Sequence, residues 1–257
     1  MSDRELHIPE PQEVARPEFA TDEGVERVLV IVAHPDDIDF AVAGSVATWR
    51  AAGIEVTYCL VTDGDAGGSD RALPRSEMAR IRRAEQTAAA AVVGVNDLRF
   101  LAYPDGRVQY TLELRRDLSR VIRQVRPHRV VTQSPERLWD RIYASHPDHL
   151  AAGEAAVAAV YPDARNPFAH PELLADEGLE PWSVPQLWMM ARPDANSFVD
   201  ITAAVDKKIE ALLCHTSQMQ DPNAIGDMVR AWVARNADLA GLPAGSAAEA
   251  FLAVDTR

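Results

Sequence analysis

The run Val28-Leu29-Val30-Ile31-Val32-Ala33 ends abruptly in His34-Pro35-Asp36-Asp37, and this junction constrains the fold more than any other segment. A short, β-branched apolar run closed by a polar loop reads as a buried strand. The same arrangement returns more than a hundred residues later, where Arg129-Val130-Val131-Thr132 precedes His146-Pro147-Asp148-His149. Two such strands in one parallel sheet deliver both clusters to the same edge. In open α/β sheets the binding crevice lies at the carboxyl ends of the strands, where the strand order reverses.

The rest of the chain supports that frame. A helix is expected over 41–52, stopped by Gly53, and a strand over 54–61. The glycine-rich polar loop Thr62-Asp63-Gly64-Asp65-Ala66-Gly67-Gly68 follows. Helical spacing of Met78, Ile81, Ala84, Ala88 and Val92 predicts a helix over 76–93, and a short strand is expected over 98–101. Further helices are expected over 111–125 and 150–160, and a proline-rich insertion spans 161–182. A strand over 184–190, helices over 203–218 and 224–239, and an edge strand over 249–254 complete the reading. This order predicts an α/β fold with a Rossmann-like, mostly parallel sheet, helices on both faces and right-handed crossovers. Residues 1–22 read as a flexible arm and 23–257 as a single domain.

Charge and cysteine content narrow the function classes. A net charge of -13 argues against general affinity for nucleic acid, which needs a basic surface to displace counterions. Cys59 and Cys214 are far apart and lack a CxxC neighbour, so no disulfide framework or thiolate metal site is expected. No apolar stretch approaches the roughly 20 residues that span a bilayer, and the polar Met1-Ser2-Asp3-Arg4-Glu5 does not resemble a secretory signal. A cytoplasmic enzyme acting on a small molecule, with no membrane or nucleic-acid partner and a possible homo-oligomer, is the expectation.

Chemistry concentrates in the two clusters. His34, Asp37 and His149 offer two nitrogens and one carboxylate oxygen, a set that zinc accepts while keeping a fourth position for water. Asp36 and His146 are alternative inward-facing donors. If they are not ligands, Asp36 suits a general base, and His146 suits stabilisation of an oxyanion or protonation of a leaving group. Asp148 can then orient His146. A lone His-Pro-Asp-Asp also reads as a helix start, because aspartate favours the positive end of the dipole. Two clusters, each after a strand, weigh against that simpler reading. Of the other histidines, His7 reads as a solvated tail residue, His128 as the cap of a helix exit or a residue at the entry of a strand, His170 as a rim residue and His215 as a hydrogen-bonded helix residue. The segment with Asp206, Lys207, Lys208 and Glu210 reads as a solvated helix face.

The strand ending in Ala33-His34-Pro35-Asp36-Asp37, with His146-Pro147-Asp148-His149, resembles the LmbE-like or PIG-L family of zinc-dependent N-deacetylases. Val61-Thr62-Asp63-Gly64, Arg82 with Glu85, Tyr103-Pro104-Asp105-Gly106, and Lys208 leading to His215-Thr216-Ser217-Gln218 extend the likeness over residues 27–220. The resemblance implies one Zn2+ on His34, Asp37 and His149, Asp36 as base, His146 as electrophile and Asp148 as its partner. It further implies Arg82 and Asp105 as binders of sugar hydroxyls, and hydrolysis of an N-acetylated amino-sugar conjugate to acetate and a free amine. Alternatives are an amidase for thiol conjugates or other N-acyl substrates, and a non-catalytic sugar-binding protein. The chain departs from the family in having Ile38-Asp39 and Gly64-Asp65 where glutamates are common. It also has Ala144 where a tyrosine is frequent, leaving Tyr143 as the nearby phenol.

Overall fold

The apolar run after Arg27 becomes a strand because neither of its faces meets water. Val28, Val30 and Val32 join a core with Val42, Val46, Trp49 and Phe251. Leu29 and Ile31 join a second core, on the opposite face, with Leu118, Ile122, Ala152 and Ala155. Alternate side chains of one strand therefore feed two helical layers. The computed structural model describes residues 18–19, 21–219 and 221–257. Its strands are β1 (Glu18–Phe19), β2 (Arg27–Val32), β3 (Glu55–Thr62), β4 (Asp97–Tyr103), β5 (Arg129–Gln133), β6 (Gln186–Met190), β7 (Ser197–Asp200) and β8 (Ala248–Asp255). The helices are α1 (Asp37–Ala41), α2 (Ala43–Ala51), α3 (Arg75–Val92), α4 (Leu112–Val125), α5 (Pro147–Ala158), α6 (Pro171–Ala175), α7 (Val205–Leu213) and α8 (Pro222–Leu239).

The strands form one sheet in the order β1-β7-β8-β6-β5-β2-β3-β4. β8 runs antiparallel to β6 and β7, and the remaining pairs are parallel. The chain builds outward from β2 to β3 and β4, then returns to place β5 on the other side of β2. The reversal falls between β2 and β5, the two strands that the clusters follow, so topology brings the clusters to one crevice. Gln133 ties the two strand ends together by accepting the Ala33 N–H at 2.9 Å.

Several expectations need correction. The segment over 249–254 is not an edge strand, because β7, a four-residue strand with little apolar signature, pairs on its outer side. The helix over 41–52 is two helices, interrupted at Val42 with φ −140° and ψ 1°. The break leaves carbonyls at the end of α1 and amides at the start of α2 without helical partners. Lys208 Nζ donates to the carbonyls of Asp39 (2.9 Å) and Phe40 (2.6 Å). Glu249 accepts the amides of Gly44 (3.1 Å) and Ser45 (2.7 Å), and Lys208 and Glu249 pair at 2.6 Å. Lys208 is therefore fully buried and not part of a solvated face. The helix expected over 203–218 stops at Leu213, and His215 to Gln218 form a turn.

Of the arm expected over 1–22, residues 1–17 and 20, with His7, lie outside the described residues. Glu18 and Phe19 pair in parallel with β7. Arg129 holds the next segment, donating to Asp22 Oδ1 at 2.7 Å and to the Thr21 carbonyl at 3.2 Å while its guanidinium lies 3.7 Å from the Trp188 ring centroid. Among the described residues, no helix is long and apolar enough to cross a membrane.

Candidate metal centre

Three donor side chains converge at the switch point. His34 Nδ1 lies 3.2 Å from His149 Nε2, His149 Nε2 lies 3.0 Å from Asp37 Oδ1, and Asp37 Oδ2 lies 3.3 Å from His34 Nδ1. Donors about 2.05 Å from one tetrahedral ion stand about 3.3 Å apart, and each of these contacts is of that length, with the Asp37 carboxylate meeting the two imidazoles through different oxygens. α1 begins at Asp37, whose Oδ2 also accepts the His34 N–H at 2.8 Å. α5 supplies His149 from its first turn, which Pro147 starts with its preset φ. A backbone hydrogen bond to Ala144 steadies the His149 ring from the loop before it.

The other nitrogen of His34 has two carboxylates, Asp105 Oδ1 at 3.1 Å and Asp148 Oδ2 at 3.2 Å. A carboxylate behind a histidine fixes its tautomer and raises its basicity toward a metal. Here it keeps the proton on Nε2 and turns the Nδ1 lone pair to the other donors. The Asp148 carboxylate therefore attends His34 and not His146, and backbone amides of Gly106 (2.7 Å) and Val108 (3.2 Å) hold it there. Asp148 does orient His146, but through its main chain: the Asp148 N–H donates to His146 Nδ1 at 3.2 Å. That contact makes Nδ1 the acceptor and leaves the proton of a neutral His146 on Nε2.

Asp105 and Arg82 are also more deeply engaged than holders of sugar hydroxyls need be. Asp105 accepts the Ala66 N–H at 2.9 Å with Oδ2, so both of its oxygens have partners within the protein. Arg82 is 4% exposed, so it is not a surface ion pair. Its guanidinium donates to the carbonyls of Gly64 (3.2 Å) and Pro35 (2.5 Å) and pairs with Asp36 Oδ2 at 3.1 Å. Gly64 permits that approach: its φ is 68°, and a Cβ there would lie 2.4 Å from Arg82 Nη1. Asp36 itself has φ 87° and ψ −30°, a conformation that costs a non-glycine residue about 1–3 kcal/mol unless its surroundings impose it. Gln86 contributes to that imposition by accepting the Asp36 N–H at 2.9 Å.

Four carboxylates in this small volume set its electrostatics. Burial lowers the His34 imidazole, but hydrogen bonds to Asp105, Asp148 and Asp37 outweigh it and raise the group to about 12. Burial pushes Asp37 up, yet His149 and His34 pull it well below the carboxylate range. Burial and the charge of Asp37 push Asp36 up to about 6, against Arg82, His215 and His34. His149 is raised by Asp37 against its burial, whereas burial, His34 and His149 lower His146. The excess of negative charge that holds a proton on His34 equally favours a divalent cation. Ligand atoms of His34, His146 and His149 lie within 4.8 Å of one another, as do those of His34, Asp105 and Asp148. Both sets share His34.

Other sequence candidates fall elsewhere. His128 Nδ1 accepts amides of Glu26 and Arg27 at the opposite end of β2. His170 meets Asp163 at 3.3 Å beside a surface depression of about 420 Å³ that shares no residue with the cluster. Tyr143 is 76% exposed. Gln86, Gln133 and Asp39 also support the site and were not recognisable in advance, since they acquire these roles only through partners distant in sequence, whereas His215, expected to be hydrogen-bonded, meets Asp39 Oδ2 at 2.8 Å from a turn and not from a helix.

A histidine–carboxylate cluster with a further carboxylate beside it, at the switch point of an open α/β sheet, is the apparatus of a metal-assisted amide hydrolase. The chain belongs to the PIG-L family, described as GlcNAc-PI de-N-acetylase, whose sequence model matches residues 29–160. It is 34% identical over 197 residues to diacetylchitobiose deacetylase of Thermococcus kodakarensis, covering 77% of this chain and 72% of that one. It is 28% identical over 244 residues to 1D-myo-inositol 2-acetamido-2-deoxy-alpha-D-glucopyranoside deacetylase of Rhodococcus erythropolis, covering 76% and 81%. The structure of N,N'-diacetylchitobiose deacetylase from Pyrococcus horikoshii, complexed with its inhibitor MPG, superposes with a TM-score of 0.84 at 29% identity, covering 91% of this chain and 86% of that one. The protein is a hydrolytic deacetylase of this family.

Proposed function

We propose that the protein removes the acetyl group from a small N-acetylglucosamine-type conjugate, with one zinc ion held by His34, Asp37 and His149. The contacts of 3.0–3.3 Å among His34, His149 and the Asp37 carboxylate, with Asp36 adjoining them, carry the reading. The N-acetylated amino sugars in the names of the relatives support the substrate class. A zinc ion bound there polarises the amide carbonyl and acidifies a water molecule.

The chain's own residues do the rest. Asp36, fixed by Arg82 and Gln86, takes the proton as water oxygen bonds to the acetyl carbon. His146, with Nδ1 already accepting from the backbone, offers Nε2–H to the developing oxyanion. The C–N bond then breaks as the proton held by Asp36 passes to the amine nitrogen, and acetate and the free amine leave. Asp148 and Asp105 hold the His34 ring throughout.

The test compares metal content and amine release. Asp36→Asn is expected to keep about one zinc per chain and lose nearly all turnover, and His149→Ala to lose the zinc. Full turnover in Asp36→Asn, or zinc retained in His149→Ala, overturns the assignment.

A further inference from the structure

We infer that His215, Asp39 and Gln86 are positioning residues for this reaction, forming a buried hydrogen-bonded line that fixes the peptide of Asp36 and so the direction of its carboxylate. The inference rests on the reading of Asp36 as the base. His215 Nε2 meets Asp39 Oδ2 at 2.8 Å, Gln86 Nε2 donates to the same oxygen at 2.8 Å, and Gln86 Oε1 accepts the Asp36 N–H at 2.9 Å. Asp39, Gln86 and His215 are all fully buried.

The polarity of the line is fixed from its Asp36 end. A peptide N–H only donates, so the oxygen of Gln86 must face Asp36 and its amide nitrogen must face Asp39. At Asp39, one oxygen, Oδ2, takes the Gln86 amide and meets His215 Nε2, so both contacts bear on the same atom. Reversing any member breaks the line, so a substitution at its far end is felt at Asp36. That end is itself anchored. Glu85, next to Gln86 on α3, accepts Thr216 Oγ1 (2.9 Å), the Ser217 N–H (2.7 Å) and Ser217 Oγ (2.7 Å), which clamps the turn carrying His215 onto the same helix.

The line does not read as an optimised stabilising feature. Asp39 Oδ1 and His215 Nδ1 are buried without a hydrogen-bond partner among the described residues, a loss that apolar side chains would avoid. What the line does hold is the one residue of the metal loop with a strained backbone, Asp36 at φ 87°. Arg82 restrains its carboxylate from one side, and Gln86 restrains its amide from the other.

The experiment measures kcat, KM and zinc content for His215→Ala, His215→Gln, His215→Asn, Gln86→Met and the double variant His215→Ala/Gln86→Met. Hydrogen exchange of the Asp36 amide in metal-free protein is followed in parallel. His215→Ala is expected to lower kcat about tenfold or more, the scale for partners of a site residue, with KM within about twofold and zinc unchanged. Glutamine places its amide nitrogen at the reach of Nε2 and is expected to restore most of kcat, whereas asparagine is too short. The double variant is expected to be no slower than Gln86→Met, and Asp36 exchange to quicken in both single variants. Wild-type kcat and exchange in His215→Ala, or multiplicative losses in the double variant, overturn the inference. If His215→Ala does not fold, the glutamine–asparagine pair and exchange in Gln86→Met decide it. Failure of the functional reading shows separately, as full turnover in Asp36→Asn.

Discussion

Gly153 lies one helical turn beyond His149, at the place where α5 packs against the end of β5. A Cβ there would stand 2.4 Å from the Gln133 carbonyl oxygen and 3.2 Å from the Pro135 nitrogen, and both neighbours are backbone. A carbon–oxygen contact of about 3.3 Å is normal, so Gly153→Ala forces α5 back by roughly 0.9 Å. In an unhindered helix the same change gains about 1 kcal/mol. Overpacking costs about 1–3 kcal/mol, and because a backbone neighbour cannot rotate away the cost falls at about 2–3, which less the gain of about 1 leaves a net loss of about 1–2 kcal/mol. The displacement also separates His149, on α5, and His146, at its N-cap, from His34 and Asp37 at the end of β2. A misplacement near 1 Å is worth about a hundredfold in rate. Urea unfolding and amine release on the purified variant read both effects. An alanine variant as stable as the wild type, with unchanged turnover, refutes the reasoning.

Two further predictions concern buried and half-buried charges. Lys208→Met leaves the Glu249 carboxylate buried without its cation and strips two carbonyls of a donor, and should cost about 3–5 kcal/mol in urea unfolding; adding Glu249→Gln should recover part of it. Asp117 is pushed up by burial but drawn below its ordinary range by hydrogen bonds from Tyr103, Arg120 and Arg116. Its stabilising contribution is thus present above the unfolded carboxylate value of about 3.9 and is lost as pH falls through the lower folded value. Asp117→Asn should lower the urea midpoint at pH 7 and converge on the wild type in acid; a pH-independent gap would contradict the assignment.

The sheet and the two clusters were legible because their signals are local. Six apolar residues ending at His34 announce a strand and its mouth, and His146 to His149 repeat the announcement. β7 was not legible, since Ser197-Phe198-Val199-Asp200 is too short and too polar at its ends to show a period. Without β7, the segment after Ala248 had to be read as an edge. Lys208 was misread because its partner lies 41 residues further on, and helical spacing alone places it beside genuinely exposed neighbours. Adjacency in sequence suggested that the Asp148 carboxylate serves His146. A side chain and its own amide point in different directions, and only the fold showed that each serves a different histidine. Arg82 and Asp105 were visible as polar residues near the site, but whether their atoms face a ligand or the protein is decided by loops that converge from β3 and β4.

The buried pair of Lys208 and Glu249 has a consequence for the order in which the protein matures. The amides of Gly44 and Ser45, just behind the metal loop, wait for a carboxylate made some 205 residues later. During synthesis both His/Asp clusters leave the ribosome before Glu249 exists, so the corner between α1 and α2 is uncapped while the rest of the sheet collects around it. The corner behind the loop bearing His34, Asp36 and Asp37 gains its carboxylate cap only with β8 in place between β6 and β7. The segment that carries the chemistry is therefore braced by a carboxylate from the far side of the sheet and not by its own sequence neighbours.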